Sequence, residues 1–152
     1  MASFDKVETG GKLREMILSV FDIELPVDGG WGYEEKDATV IYEGEIPTTQ
    51  LEHTLASMRA HLEMGLMPSK EERYGSINLN ETERKEYQKD NNLFHKVSYT
   101  ITAMKESEYN AFIEEYKEGY GKDSFDIDAH FRKRKEATLT REENFWFRID
   151  QG

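Results

Sequence analysis

The amino-acid sequence predicts an α+β domain, with a mainly antiparallel sheet of about four or five strands and two amphipathic helices packed on one face. Several runs of strand length alternate apolar with polar residues, and two other runs repeat apolar residues at helical spacing. The chain has 152 residues, which is the size of one domain. We therefore interpret residues 1–152 as a single domain.

Composition indicates a chain that folds unaided. Aromatic residues make up 12% of the chain and are spread along its whole length, which argues against disorder despite a mean hydropathy of -0.81. Cysteine is absent, so disulfides, thiolate nucleophiles and cysteine-based metal sites are excluded. No run approaches the ~20 apolar residues of a membrane span, and residues 1–12 do not resemble a signal peptide. These observations predict a cytoplasmic protein that does not associate with membranes.

Charge limits the classes of partner. The net charge is -11, from 31 acidic and 20 basic residues, and affinity for a phosphate backbone comes mostly from cationic side chains. Direct binding to nucleic acid is therefore not expected. The same acidic excess would suit an inhibitor that mimics nucleic acid, although surplus carboxylates also serve solubility.

Taken in order, residues 1–11 are expected to form a polar leader. The second half of residues 12–25 has the alternation and β-branched composition of a strand, while residues 13–18 could instead be helical. Residues 38–43 predict a second strand, and a hairpin is the economical way to join the two.

The clearest predicted helix spans residues 50–66. Its core-facing stripe repeats at helical spacing and consists of Leu51, Leu55, Met58, Leu62 and Leu66. A second, weaker stripe of small and soft residues consists of His53, Ala56, Ala60, Met64 and Met67, and the first four are the candidate interface residues. This second stripe is either the interface of a homo-oligomer or a surface packed under a loop of the same chain.

The remaining elements follow from periodicity. Residues 68–92 are polar and are expected to form a long loop, whereas residues 93–104 alternate as a half-buried strand. Residues 106–118 predict a short amphipathic helix. The alternation in residues 125–131 and 145–149 predicts two final strands, which the charged segment between them could extend into a long hairpin.

A glycine-rich aromatic loop lies between the first two predicted strands and is a candidate ligand-binding site. Its residues are Gly29, Gly30, Trp31, Gly32 and Tyr33. Glycines permit positive φ and close approach to the main chain, so the loop could present both rings to a ligand. The alternative is a bend whose rings fold back onto the core.

Asp126, Asp128 and His130 are the candidate metal ligands, because on a strand they would lie in a row on one face. Mixed oxygen and nitrogen ligands suit manganese, iron or zinc. The spacing is awkward, since neighbours on one strand face lie about 6.6 to 7 Å apart. A solvated strand face is the alternative interpretation.

The sequence contains no phosphate loop, dinucleotide fingerprint, nucleophile elbow or zinc-protease motif. The leading hypothesis is a non-catalytic interaction or ligand-binding module, without a cofactor, whose partner is a protein or a second copy of itself. One alternative is a metal-dependent enzyme that uses Asp126, Asp128 and His130, with Glu142 or His95 nearby. The other is an acidic inhibitor that mimics nucleic acid.

Overall fold

The structure is a computed structural model, in which residues 4–9, 12–122 and 125–151 are described. The helices are α1 (Leu13–Phe21), α2 (Thr48–His61), α3 (Glu106–Gly119) and α4 (Ile127–Ala137). The strands are β1 (Val27–Gly29), β2 (Thr39–Tyr42), β3 (Tyr74–Lys89), β4 (Asn92–Lys105) and β5 (Leu139–Asp150). A π-helical turn, Leu62–Leu66, extends α2.

The five strands form one sheet in the order β1-β2-β5-β4-β3. Only β2 and β5 run parallel, and the other neighbouring strands are antiparallel. The predicted α+β class with a mainly antiparallel sheet is confirmed. The described ranges contain four helices, whereas the sequence analysis predicted two.

One face of the sheet carries the core. On β4 the odd-numbered side chains from Val97 to Ala103 are buried, and on β5 Phe145, Phe147 and Ile149 are buried with them. Leu13 and Ile17 of α1 join the same cluster, as do several residues of α2. The helices α1 and α2 therefore cover one face together, as the period-two pattern of the central strands requires.

The strand predicted in the second half of residues 12–25 is wrong, because α1 continues to Phe21. Leu13 and Ile17 are four residues apart and both are fully buried, so the helix contributes one narrow apolar stripe. Asp22 ends α1 in the left-handed conformation, and its N–H donates to the Leu18 carbonyl at 3.0 Å. The β-branched Val20 lies on the exposed side of α1, so its strand preference did not decide the structure.

The long loop predicted for residues 68–92 is also wrong, since most of it is β3. β3 is an edge strand that pairs only with β4, and many of its side chains are exposed, so it lacks the apolar alternation of a central strand. Asp90 and Asn91 both have positive φ, at 52° and 65°, which is the pattern of a two-residue type I′ hairpin turn.

The strand predicted for residues 125–131 is a helix instead. Asp126 caps α4, because its carboxylate accepts a hydrogen bond from the Ala129 N–H at 3.0 Å. Good helix formers then follow through residues 132–137. α3 begins directly after β4 and α4 ends one residue before β5, so the two helices form an excursion between two paired strands.

Other elements match their predictions. β2, β4 and the second half of β5 lie where the alternation placed strands, and α2 and α3 lie where the helical spacing placed helices. Part of the predicted polar leader, residues 1–3, 10 and 11, lies outside the described residues. In its described part, Val7 is buried and Phe4 packs against the core. None of the helices in the described ranges combines the length and the apolar composition needed to cross a membrane.

Replacement of Gly32 tests how tightly the glycine loop is fixed to the sheet. Gly32 has φ +74°, and a Cβ there would overlap the carbonyl oxygen of Trp146. Gly32→Ala is expected to lower the free energy of unfolding by about 2 kcal/mol or more, from left-handed strain and the clash together. Chemical denaturation measures the loss. Gly44→Ala is the matched control, because its Cβ would meet nothing within 4 Å, and equal losses in the two variants would contradict the assignment.

Candidate functional site

The glycine loop does not display Trp31. Its side chain is 2% exposed and belongs to the hydrophobic core. Gly29, Gly30 and Gly32 instead bring the main chain close to neighbouring segments, and the Trp146 N–H donates to the Gly32 carbonyl at 2.9 Å. Trp31 therefore follows the alternative interpretation, in which the loop is a bend and the ring folds back onto the core, and a ligand cannot reach this ring from the surface.

Tyr33 carries the other ring of the loop, and its hydroxyl group points into the protein. The hydroxyl donates to Glu63 Oε2 at 2.5 Å and accepts from the Val7 N–H at 2.9 Å. Burial, assisted by the bond to Glu63, raises the pKa of Tyr33 well above its ordinary value. Tyr33 therefore remains a neutral donor that fixes one oxygen of Glu63.

Glu63 lies on the π-helical turn after α2, where the Met67 N–H donates to the Leu62 carbonyl at 2.9 Å. The wide turn moves the end of the helix out of the phase of α2, and Leu66, predicted to face the core, is 52% exposed. Glu63 lies within this turn, four residues after the buried Arg59 and on the same side of the helix, and it is 3% exposed. Such turns frequently occur at functional sites.

Arg59 is the counter-charge, and it is fully buried. Its Nε lies 3.5 Å from Glu63 Oε2, and its guanidinium carbon lies 3.7 Å from the ring centre of Phe145 and 4.1 Å from that of Tyr33. Its Nη1 donates to the carbonyl oxygens of residues 31, 32 and 144 at 3.3 to 3.5 Å. Burial lowers the pKa of Arg59 and Glu63 opposes that effect, so the side chain stays charged.

Arg141 of β5 completes the group. Its Nη1 donates to Glu63 Oε1 at 2.9 Å and its Nη2 to Glu143 Oε1 at 3.0 Å. We call Tyr33, Arg59, Glu63, Arg141 and Glu143 the buried ion network. It contains two cations and two carboxylates, and it joins the glycine loop, α2, the π-helical turn and β5.

A cavity of about 310 Å³ opens beside this network. Its apolar walls are Phe4, Met67, Pro68 and Tyr74, and its charged lining residues are Asp5, Glu63, Glu72 and Lys105. We call it the Glu63 cavity. It is the place where the buried ion network meets accessible space.

The predicted metal ligands are not brought together. Asp126 is the helix cap, exposed Asp128 lies about 200° around the helix from it, and His130 is fully buried. The His130 ring is surrounded by the rings of Phe112, Tyr116, Phe125 and Phe131 at 5.3 to 5.8 Å. Within residues 4–9, 12–122 and 125–151, no three histidine or acidic side chains are arranged to hold a metal ion. The metal hypothesis stays a prediction, but the strand on which it was based is a helix in the structure.

The predicted interface stripe lies mostly inside the chain. Ala56, Ala60 and Met64 are fully buried in the core cluster, so the alternative of packing within the chain describes them. His53 is exposed, with its ring 5.7 Å from that of Tyr99. Because Leu51 and Leu55 of the first stripe are buried as well, α2 has a wide buried face. Homo-oligomer formation stays a prediction, but Ala56 and Ala60 are buried within the chain and do not form a surface for a second copy.

A second polar group, which involves His95, was not predicted from the sequence. Glu52, fully buried on α2, lies 2.7 Å from His95 Nδ1 and accepts from Arg84 Nη1 at 2.9 Å. Glu52 and His95 are separated by 43 residues, so no local motif could have linked them. His95 does not line the Glu63 cavity, so we interpret this group as a tie between α2 and the sheet.

In comparisons with known proteins, no family model, no curated protein and no solved structure matches the chain. The functional interpretation therefore comes from the geometry of the site.

Removal of Arg59 tests the buried ion network. Arg59→Met leaves Glu63 with one cation fewer in a buried site and is expected to lower the free energy of unfolding by about 3–5 kcal/mol. Lys85→Met is the control, since it breaks an exposed ion pair with Glu83 and should change stability by less than about 1 kcal/mol. Urea denaturation of both variants checks this, and losses of similar size would contradict the network.

Tyr33 should make stability depend on alkaline pH. Its folded-state pKa is raised, so its contribution is fully present below the unfolded value of about 10 and is lost as pH rises above that value. The stability of Tyr33→Phe should consequently fall less steeply between about pH 10 and 11 than that of the parent chain. Urea denaturation across this range measures the difference, and parallel curves would contradict the burial of the hydroxyl group.

Proposed function

We propose that the chain is a small-molecule-binding module whose site is the Glu63 cavity. The observation that carries the proposal is a buried carboxylate, held by several partners, in the lining of a cavity of about 310 Å³. Ligand sites in proteins are commonly mostly apolar cavities of about 300 to 1,000 Å³ with a few fixed polar groups. The Glu63 cavity lies in this range of volumes, and half of its lining residues are apolar or aromatic.

The fixed orientation of Glu63 supports a binding role. Tyr33 and Arg141 each occupy one of its oxygens with a short hydrogen bond, and Arg59 lies close behind. A polar group that is already oriented loses little conformational freedom when a ligand binds. Glu63 can thus give directional recognition in a lining that is otherwise half apolar.

The glycine loop has a supporting role in this proposal. Tyr33 holds Glu63 from behind, and Gly32 allows the close approach to β5 that positions Tyr33. The ligand-binding function expected from the sequence is retained, but its contacts move from the loop to the cavity. The absence of catalysis, and any protein partner, stay predictions.

A fragment screen read by amide NMR shifts tests the proposal. Fragments that bind should shift the amides of residues lining the cavity, including Phe4, Glu63 and Tyr74. Met67→Trp fills the cavity from a lining position and should abolish these shifts. Its matched control is Leu66→Trp, at a neighbouring exposed residue that does not line the cavity.

Two results would contradict the proposal. One is a screen in which no fragment shifts the lining amides. The other is a set of fragments whose binding Met67→Trp leaves unchanged. Thermal melting of both variants establishes that each has folded before its binding is compared.

A further inference from the structure

We infer that the Glu63 cavity selects small organic ammonium ions. This inference rests on the proposed binding function and adds the chemical class of the ligand. Its support comes from the charges that remain uncompensated at the cavity, from an acceptor site left on Glu63 and from the aromatic walls.

The uncompensated charge at the cavity is negative. Inside the buried ion network, Arg59 and Arg141 balance Glu63 and Glu143. Outside it, the charged lining residues in the described part of the chain are the carboxylates of Asp5 and Glu72 and the ammonium of Lys105. Among the described residues, neither Asp5 nor Glu72 pairs with a cation, and the whole chain carries a net charge of -11. This field raises the local concentration of cations and repels anions.

Glu63 offers an acceptor to a ligand that donates hydrogen bonds. A carboxylate has about four lone-pair sites on its two oxygens. Oε2 accepts from Tyr33 and faces Arg59, whereas Arg141 is the only donor to Oε1 among the described residues. An ammonium ligand can donate to the remaining site of Oε1, and a carboxylate ligand would place two acceptors against each other.

The aromatic walls suit an organic cation. Phe4 and Tyr74 line the cavity and meet edge to face, with ring centres 5.6 Å apart. The guanidinium carbon of Arg141 already lies 4.7 Å from the ring centre of Phe4, so a cation is stabilised by this ring within the structure itself. The neighbouring Met67 and Pro68 offer apolar contact to the rest of such a ligand.

Three probes that share one ring and differ in charge test the inference: benzylammonium, benzyl alcohol and benzoate. In amide NMR titrations at low ionic strength, benzylammonium should bind at the lining residues at least about tenfold more tightly than benzyl alcohol, and benzoate should not bind. The ordering should weaken as salt is added, because the unpaired carboxylates are exposed.

Variants identify the source of the selectivity. Asp5→Asn combined with Glu72→Gln should reduce benzylammonium affinity about tenfold while leaving benzyl alcohol affinity unchanged. Glu71→Gln is the matched control, because Glu71 is exposed, adjacent in sequence and absent from the lining. It should preserve most of the selectivity.

Each contrary outcome has a defined meaning. Equal or tighter binding of benzoate or benzyl alcohol at the lining amides overturns the ammonium class and leaves the binding function standing. No shift with any of the three probes at their solubility limits also overturns the ammonium class, and the fragment screen then decides the binding function separately. Benzylammonium binding that Met67→Trp leaves unchanged overturns both.

Discussion

The buried ion pair between Arg59 and Glu63 is the interaction on which the rest of the structure depends. Both side chains are almost completely removed from water, so each needs the other and the polar groups around them. Those groups come from distant parts of the chain: the glycine loop supplies Tyr33 and main-chain carbonyls, and β5 supplies Arg141. Satisfying one buried ion pair therefore fixes how α2, the loop and the central strand meet.

A second polar group attaches α2 to the sheet closer to the N-terminus of the helix than Arg59. Glu52 contacts His95 of β4 and Arg84 of β3, about two helical turns before Arg59. The helix is thus tied to the sheet by charged side chains at two levels, with Leu55 and Ala56 buried between them. Such ties fix the position of the helix on the sheet as well as stabilising it, since a shifted helix would leave buried charges unpaired. A fixed position of α2 suits a binding site that depends on the orientation of the Glu63 carboxylate.

The sequence could predict the central strands and the α+β class, because their side chains alternate between core and the opposite face. It could not predict β3, an edge strand with mostly exposed side chains, or α4, where Asp126 acts as a cap rather than as one of a row of strand residues. Helical periodicity placed α2 but did not indicate that Glu52, Arg59 and Glu63 are buried. The π-helical turn, after which Leu66 is exposed instead of buried, leaves no signal in a 3.6-residue pattern. For these reasons the sequence did not predict the candidate site, and it pointed to Tyr33 only as one of the two rings of the glycine loop.

The central claim is that Glu63 is both the anchor of the buried ion network and the group that a ligand meets. The most direct test is the 13C chemical shift of the Glu63 side-chain carboxyl carbon during titration with benzylammonium. Glu52, equally buried but remote from the Glu63 cavity lining, is the internal reference. The Glu63 signal is expected to move with the same dissociation constant as the lining amides, while the Glu52 signal stays in place. A stationary Glu63 signal, or equal movement of both, would contradict the central claim.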